Sequence, residues 1–103
     1  MIVRVPEDPG RFSVEAMRTL LAPLHNAPVA IVDLRGARCL TSGTLSSLIG
    51  LQRHRRERRR SPVRLVRPND SMERILEAVS FDGIFEIYES LDEALAATLR
   101  QAQ

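Results

Sequence analysis

The chain has no lysine, no tryptophan, one cysteine and two histidines, and aromatic residues make up only 4% of its 103 positions. Each scarcity removes a class of function. Without lysine there is no phosphate-loop signature, and Gly36 and Gly43, with no third glycine close behind, make no dinucleotide-binding fingerprint. Cys39 alone forms neither an internal disulfide nor a multi-cysteine metal site, a usage that suits a reducing cytoplasm. His25 and His54 do not supply a zinc site between them, so no metal and no cofactor are expected. No stretch approaches the roughly 18 apolar residues of a membrane span. The opening MIVRVPEDPG carries Glu7 and Asp8 where a secretory leader would be apolar, so neither secretion nor membrane insertion is expected.

What is present is ordinary for a globular domain: 44% hydrophobic and 27% charged residues. The length fits one domain spanning 1–103. The formal net charge of +2 is unevenly spread, because RHRRERRR at 53–60 holds six arginines against Glu57 and is itself +5. The remainder is −3, with Glu86, Glu89, Asp92 and Glu93 gathered near the C-terminus.

Short apolar runs alternate with helical periodicity. Met1 to Val5 reads as a strand ended by Pro6 and EDPG. A helix is expected from Ser13, which caps it; Phe12 and Met17 have staple spacing, Val14, Met17, Leu21 and Leu24 form the apolar stripe, and Pro28 marks the end. Val29 to Val32 is apolar throughout, as for a strand covered on both faces of a parallel sheet. The loop LRGARCLTSG leads into a helix with Leu45, Leu48, Ile49 and Leu51 on or near one face, stopped by Ser61-Pro62. Val63 to Val66 is the third strand, and Asp70 with Glu73 opens a helix with Met72, Ile75, Leu76 and Val79 inward. After Asp82-Gly83, Ile84 to Tyr88 is the last strand. Ser90 to Glu93 is a capping box for a helix with Leu91, Ala94, Leu95 and Leu99 inward. The order β-α-β-α-β-α-β-α predicts an α/β domain, a mostly parallel four-stranded sheet with about four helices and right-handed crossovers. Partners of such sheets meet the loops beyond the strand carboxyl ends, here Asp33 to Thr44.

Catalysis is not expected. Ser42 or Cys39 needs a base for nucleophilic work, but His54 sits in the arginine run and His25 at a helix end, both remote from that loop. Cys39 reads as a small buried apolar residue, Phe81 and Phe85 as core, and Asp33 as a turn cap or an orienter of the edge loop.

The segments VAIVDLRGARCLTSGTLSSLIGLQRHRRE and VRLVRPNDSMERILEAVSFDGIFEIYESLDEALA, from Val29 to Ala97, resemble the STAS family of anti-sigma-factor antagonists. The likeness lies in the strand followed by Asp-Leu-x-Gly, the serine loop entering the second helix, and the closing Gly-x-Phe strand with Ser-Leu-x-Glu-Ala-Leu. It implies a non-enzymatic, cytoplasmic regulator of bacterial transcription. Its partner would be an anti-sigma serine kinase, released when one serine at the start of the second helix is phosphorylated. The equivalent residue is Ser42. Thr41 stands where the family commonly has aspartate, Gly43 follows the serine, and Thr44 replaces the usual glycine. The N-terminal part offers one strand where the family generally has a pair.

The residues themselves leave two readings of Ser42, a phosphosite and a plain helix cap, with Thr44 and Ser46 as further hydroxyls. The contact surface is expected to comprise Thr41, Ser42, Gly43, Thr44, Ser46, Gln52, Arg53 and Arg56. The arginine run is either a solvated basic helix end or the docking point of an acidic protein partner. Nucleic-acid binding is the weaker alternative, since no aromatic interleaves with the arginines. The alternative to a phosphoprotein is a constitutive STAS subunit of a transport or sensory complex.

Overall fold

The computed structural model describes residues 1–5, 13–36, 42–66 and 85–102, with the side chains of Val14, Ser42 and 98–102 outside that description. Outside it also fall the turn at 6–10, Phe12, Cys39, Thr41, the expected helix from Asp70, Phe81 and Asp82-Gly83. The described elements are β1 (Ile2–Arg4), α1 (Val14–Leu21), a 3-10 turn (Ala22–Leu24), β2 (Ile31–Asp33), α2 (Ser42–Glu57), β3 (Arg64–Val66), β4 (Glu86–Tyr88) and α3 (Leu91–Ala102). The four strands form one parallel sheet in the order β1-β2-β3-β4.

The register sets what each face buries. Val3, Val32 and Leu65 stand in one row with Ile87, and this face packs against Met17, Leu21 and Leu24 from the first helical segment and Leu48 and Leu51 from α2. On the opposite face, Ile31, Val66 and Tyr88 meet Leu91 and Ala94 of α3. β2, which takes in the end of the apolar run Val29 to Val32 and Asp33 after it, is buried along its whole length, as expected of a strand covered on both sides.

Local chemistry explains the element ends. The Ser13 hydroxyl accepts the Ala16 amide at 3.0 Å, capping α1 as expected. The α-helix ends at Leu21, earlier than the expected limit at Pro28. Pro23 has no amide to continue the ladder, and the chain tightens into the 3-10 turn instead. At the start of α3 the Ser90 hydroxyl accepts the Glu93 amide at 3.1 Å, while the Glu93 carboxylate accepts the Glu89 amide at 3.1 Å. The cap falls where the sequence placed it. Leu95, expected inward, is 39% exposed; Ala94 and Ala97 fill the inner face.

Candidate functional site

The candidate surface is α2, which rises from the carboxyl edge of the sheet and descends to the amino edge. Its entry follows β2, where Asp33 closes a tight turn. The Asp33 carboxylate accepts the Arg35 amide at 3.0 Å and the Arg35 guanidinium at 3.0 and 2.9 Å, with Arg4 at 3.7 Å. The side-chain bonds from Arg35 hold the Asp33 carboxyl below its ordinary range, against the opposing effect of burial. Asp33 is therefore a turn cap, the simpler of its two sequence readings.

Ser42 is the first residue of α2. Gly43 is half-buried, and its carbonyl accepts the Ser47 hydroxyl at 2.9 Å. Of the expected contact residues, Ser46, Arg53 and Arg56 are exposed. Thr44 and Gln52 are not: they are 2% and 6% exposed and face the core. Gln52 has a structural task there, its Oε1 accepting the Val63 amide at 2.8 Å just ahead of β3. The outward stripe of α2 thus runs from Ser46 through Ile49, Gly50 and Arg53 to Arg56 and Glu57, roughly 15 Å along the helix axis at about 1.5 Å per residue. Nothing lies within 4 Å of where a Cβ would sit on Gly50.

The inward stripe is Thr44, Ser47, Leu48, Leu51, Gln52 and Arg55, a clean helical repeat in which four of six side chains are polar. Apolar periodicity picks out only Leu48 and Leu51; Leu45 is half-buried and Ile49 is 36% exposed. Arg55 corrects the reading of the arginine run as uniformly solvated. It is fully buried, and all five of its donors are used. Nη1 donates to the Leu24 and Ala27 carbonyls, both at 2.7 Å, and Nε to the Ser61 carbonyl at 2.9 Å. Nη2 donates to Ser61 Oγ at 3.1 Å and the Pro28 carbonyl at 3.4 Å. Burial, followed by the charges of Arg60 and Arg64, lowers its pKa from the ordinary guanidinium value.

A second buried arginine, Arg64, lies in β3 and holds Glu86 of β4 at 3.2 Å. The same carboxylate oxygen accepts the Tyr88 hydroxyl at 3.0 Å. Burial first, then this bond to Glu86, pushes the Tyr88 pKa up.

The two histidines, read from the sequence only as remote from the edge loop, meet each other. Their rings stack with centroids 4.5 Å apart, joining the end of the 3-10 turn to α2. His54 Nε2 is buried without a hydrogen-bond partner among the described residues. Burial, then the charges of His54 and Arg58, lowers the His25 pKa below 6.5. Among the described residues no three His, Cys, Asp or Glu side chains gather as metal ligands, and no helix is long and apolar enough to cross a membrane.

α2 ends in a Schellman turn: the Arg60 amide donates to the Arg55 carbonyl at 2.8 Å and the Arg59 amide to the Arg56 carbonyl at 3.0 Å. Arg59 takes the left-handed position with φ 56°, where glycine is the usual occupant.

No family model matches the sequence, and no curated protein matches it significantly. Among solved structures the chain is similar to a Thermotoga maritima protein described as a candidate anti-sigma factor antagonist. The TM-score is 0.75 over 91% of this chain and 80% of that one, at 16% sequence identity. The likeness is one of fold, and the four-stranded parallel sheet of this chain is the one that the alternation of strands and helices in the sequence predicted.

Proposed function

We propose that this domain is a STAS-like regulatory module that docks a protein partner on the outward face of α2. The partner is an anti-sigma serine kinase, and phosphorylation of Ser42 releases it. The observation that carries the reading is the fold shared with a candidate anti-sigma factor antagonist, taken with the position of Ser42 as the first residue of α2. The module acts in the cytoplasm by binding alone and performs no chemistry itself.

The switch has a physical basis. A phosphate adds about −1.5 to −2 charges. A helix N-terminus favours negative charge, so the domain's own fold tolerates the group. An apolar or acidic partner surface seated at that end does not, and the free energy of modification falls on the interface. The second reading, a constitutive subunit of a transport or sensory complex, is favoured by Thr41, which puts no acid before the serine.

The test is a pull-down from the native host with wild type, Ser42→Ala and Ser42→Asp, partners and phosphosites being identified by mass spectrometry. Capture of a serine kinase by the first two and its loss with Ser42→Asp is the expected result. Identical partners for all three, with Ser42 never modified, sinks the switch and leaves the constitutive subunit.

A further inference from the structure

A cleft of about 370 Å³ lies between the C-terminal end of α2 and the start of β4, walled by Arg56, Arg59 and Arg60 over Pro62 and Phe85. We propose that this cleft docks an acidic segment of the protein partner, an inference that rests on α2 being the docking face. Carboxylates of the segment pair with the guanidinium forks, and an apolar side chain between them rests on Pro62 and the edge of Phe85.

Three observations carry this. Among the described residues the arginines of the cleft have no acid of their own. Glu86, the one carboxylate lining it among the described residues, is held by Arg64 and Tyr88, and among the same residues no ion pair reaches Arg56, Arg59 or Arg60. A helix C-terminus is satisfied by one or two cations, so this cluster exceeds what the macrodipole uses and its members repel one another. Finally, Arg59 occupies the left-handed Schellman position at φ 56°, which glycine would fill without strain. The sequence keeps a charged side chain where the backbone favours none, and that side chain walls the cleft.

The shape argues against nucleic acid as the occupant. Phe85 is 4% exposed and offers no open face for a base to stack on. Arg56, Arg59 and Arg60 line one pocket together with Glu86, whose negative charge disfavours a phosphate, whereas a phosphate backbone is tracked by an extended basic stripe. Paired carboxylates on a short peptide fit such a convergence.

The test uses the full chain and a fluorescein-labelled peptide, Glu-Asp-Leu-Glu-Asp, followed by fluorescence anisotropy at about 50 mM salt. The expected result is saturable binding, weakened about tenfold or more when the acids become Gln and Asn, and by a similar factor in Arg56→Gln/Arg60→Gln. Both arginines are exposed, so that variant should keep the wild-type melting temperature. Absence of saturable binding, equal binding to wild type and double variant, or tighter binding of a single-stranded oligonucleotide of equal charge overturns the proposal. Ser42→Asp, at the other end of α2, should leave peptide affinity within about twofold, since the short peptide does not span the helix. If Ser42→Asp also fails to release the full partner while the double arginine variant does release it, the phosphorylation switch is lost and the arginine cleft stands.

Discussion

Replacing Arg55 by methionine should destabilise the domain more than any other change in the arginine run. The side chain is fully buried and joins α2 to the 24–28 segment and to Ser61 through five hydrogen bonds. Methionine matches much of its volume, so the cavity contribution is small and the lost hydrogen bonds decide the outcome. The carbonyls of Pro28 and Ser61 sit in less buried contacts and regain water. Those of Leu24 and Ala27 are accepted in buried bonds and do not. A hydrogen bond to a charged group contributes about 1.5–3 kcal/mol, so the two together give about 4 kcal/mol. Replacing a buried ion pair by apolar residues is often neutral because both charges leave together. Here the acceptors remain as orphans, and the loss is not recovered. Against a total stability of about 5–15 kcal/mol, Arg55→Met should lower the thermal midpoint by about 15–30 °C in a circular-dichroism melt. Arg55→Lys should fall in between, because one ammonium does not span all the acceptors. Arg56→Met, exposed and in the same run, should change stability by about 0.5 kcal/mol or less. A loss below about 1 kcal/mol for Arg55→Met, or an equal loss for Arg56→Met, refutes the reasoning.

Gly50→Ala should raise stability by about 0.5–1 kcal/mol, since the position is inside α2, exposed, and open around the added methyl group. If α2 is the docking face, the same variant should weaken partner capture; a melt and a pull-down on one preparation read the two opposed effects, and a variant that is stabilised yet binds as wild type argues against docking at Gly50. The His25 pKa is depressed in the folded state, so the unfolded chain binds more protons between that lowered value and 6.5. Stability should hold above about pH 6.5 and fall as pH drops through this window, with His54 of α2 and Arg58 just beyond its end adding to the repulsion and Arg18 of α1 lining the same groove. In urea titrations at several pH values, His25→Phe should keep the ring contact and flatten that slope; an unchanged slope removes His25 as its source.

The order of strands along the chain and the helix caps were legible because they depend on neighbours in sequence, whereas the order of the strands within the sheet was not read from it. Ser13 and Ser90 cap amides three residues on, and the apolar runs at β2 and β3 are short and bounded. What escaped the sequence reading was long-range polar burial. Arg55 meets carbonyls about thirty positions away, and Arg64 meets Glu86 on the neighbouring strand, 22 positions on. Neither is visible to a rule that buries hydrophobic residues. The spacing of Thr44, Ser47, Leu48, Leu51, Gln52 and Arg55 holds the needed signal, but only once small and polar residues are admitted to the inner face. Likewise the stacking of His25 on His54 follows from how α1 packs on α2, which no local pattern encodes. Ser42 at the start of α2 was readable from its place after the loop, while the inward turn of Thr44 and Gln52 was not.

The central claim is that the Ser42 end of α2 is a docking face under control of a negative charge. Its most direct test is calorimetric titration of the partner recovered by wild type against the wild-type domain, Ser42→Ala and Ser42→Asp. The account predicts affinity for Ser42→Ala within about twofold of wild type and for Ser42→Asp at least about tenfold weaker, corresponding to about 1.4 kcal/mol or more, with all three sharing one melting temperature. Equal affinities for the three proteins, with cross-links mapping the partner away from α2, would contradict it.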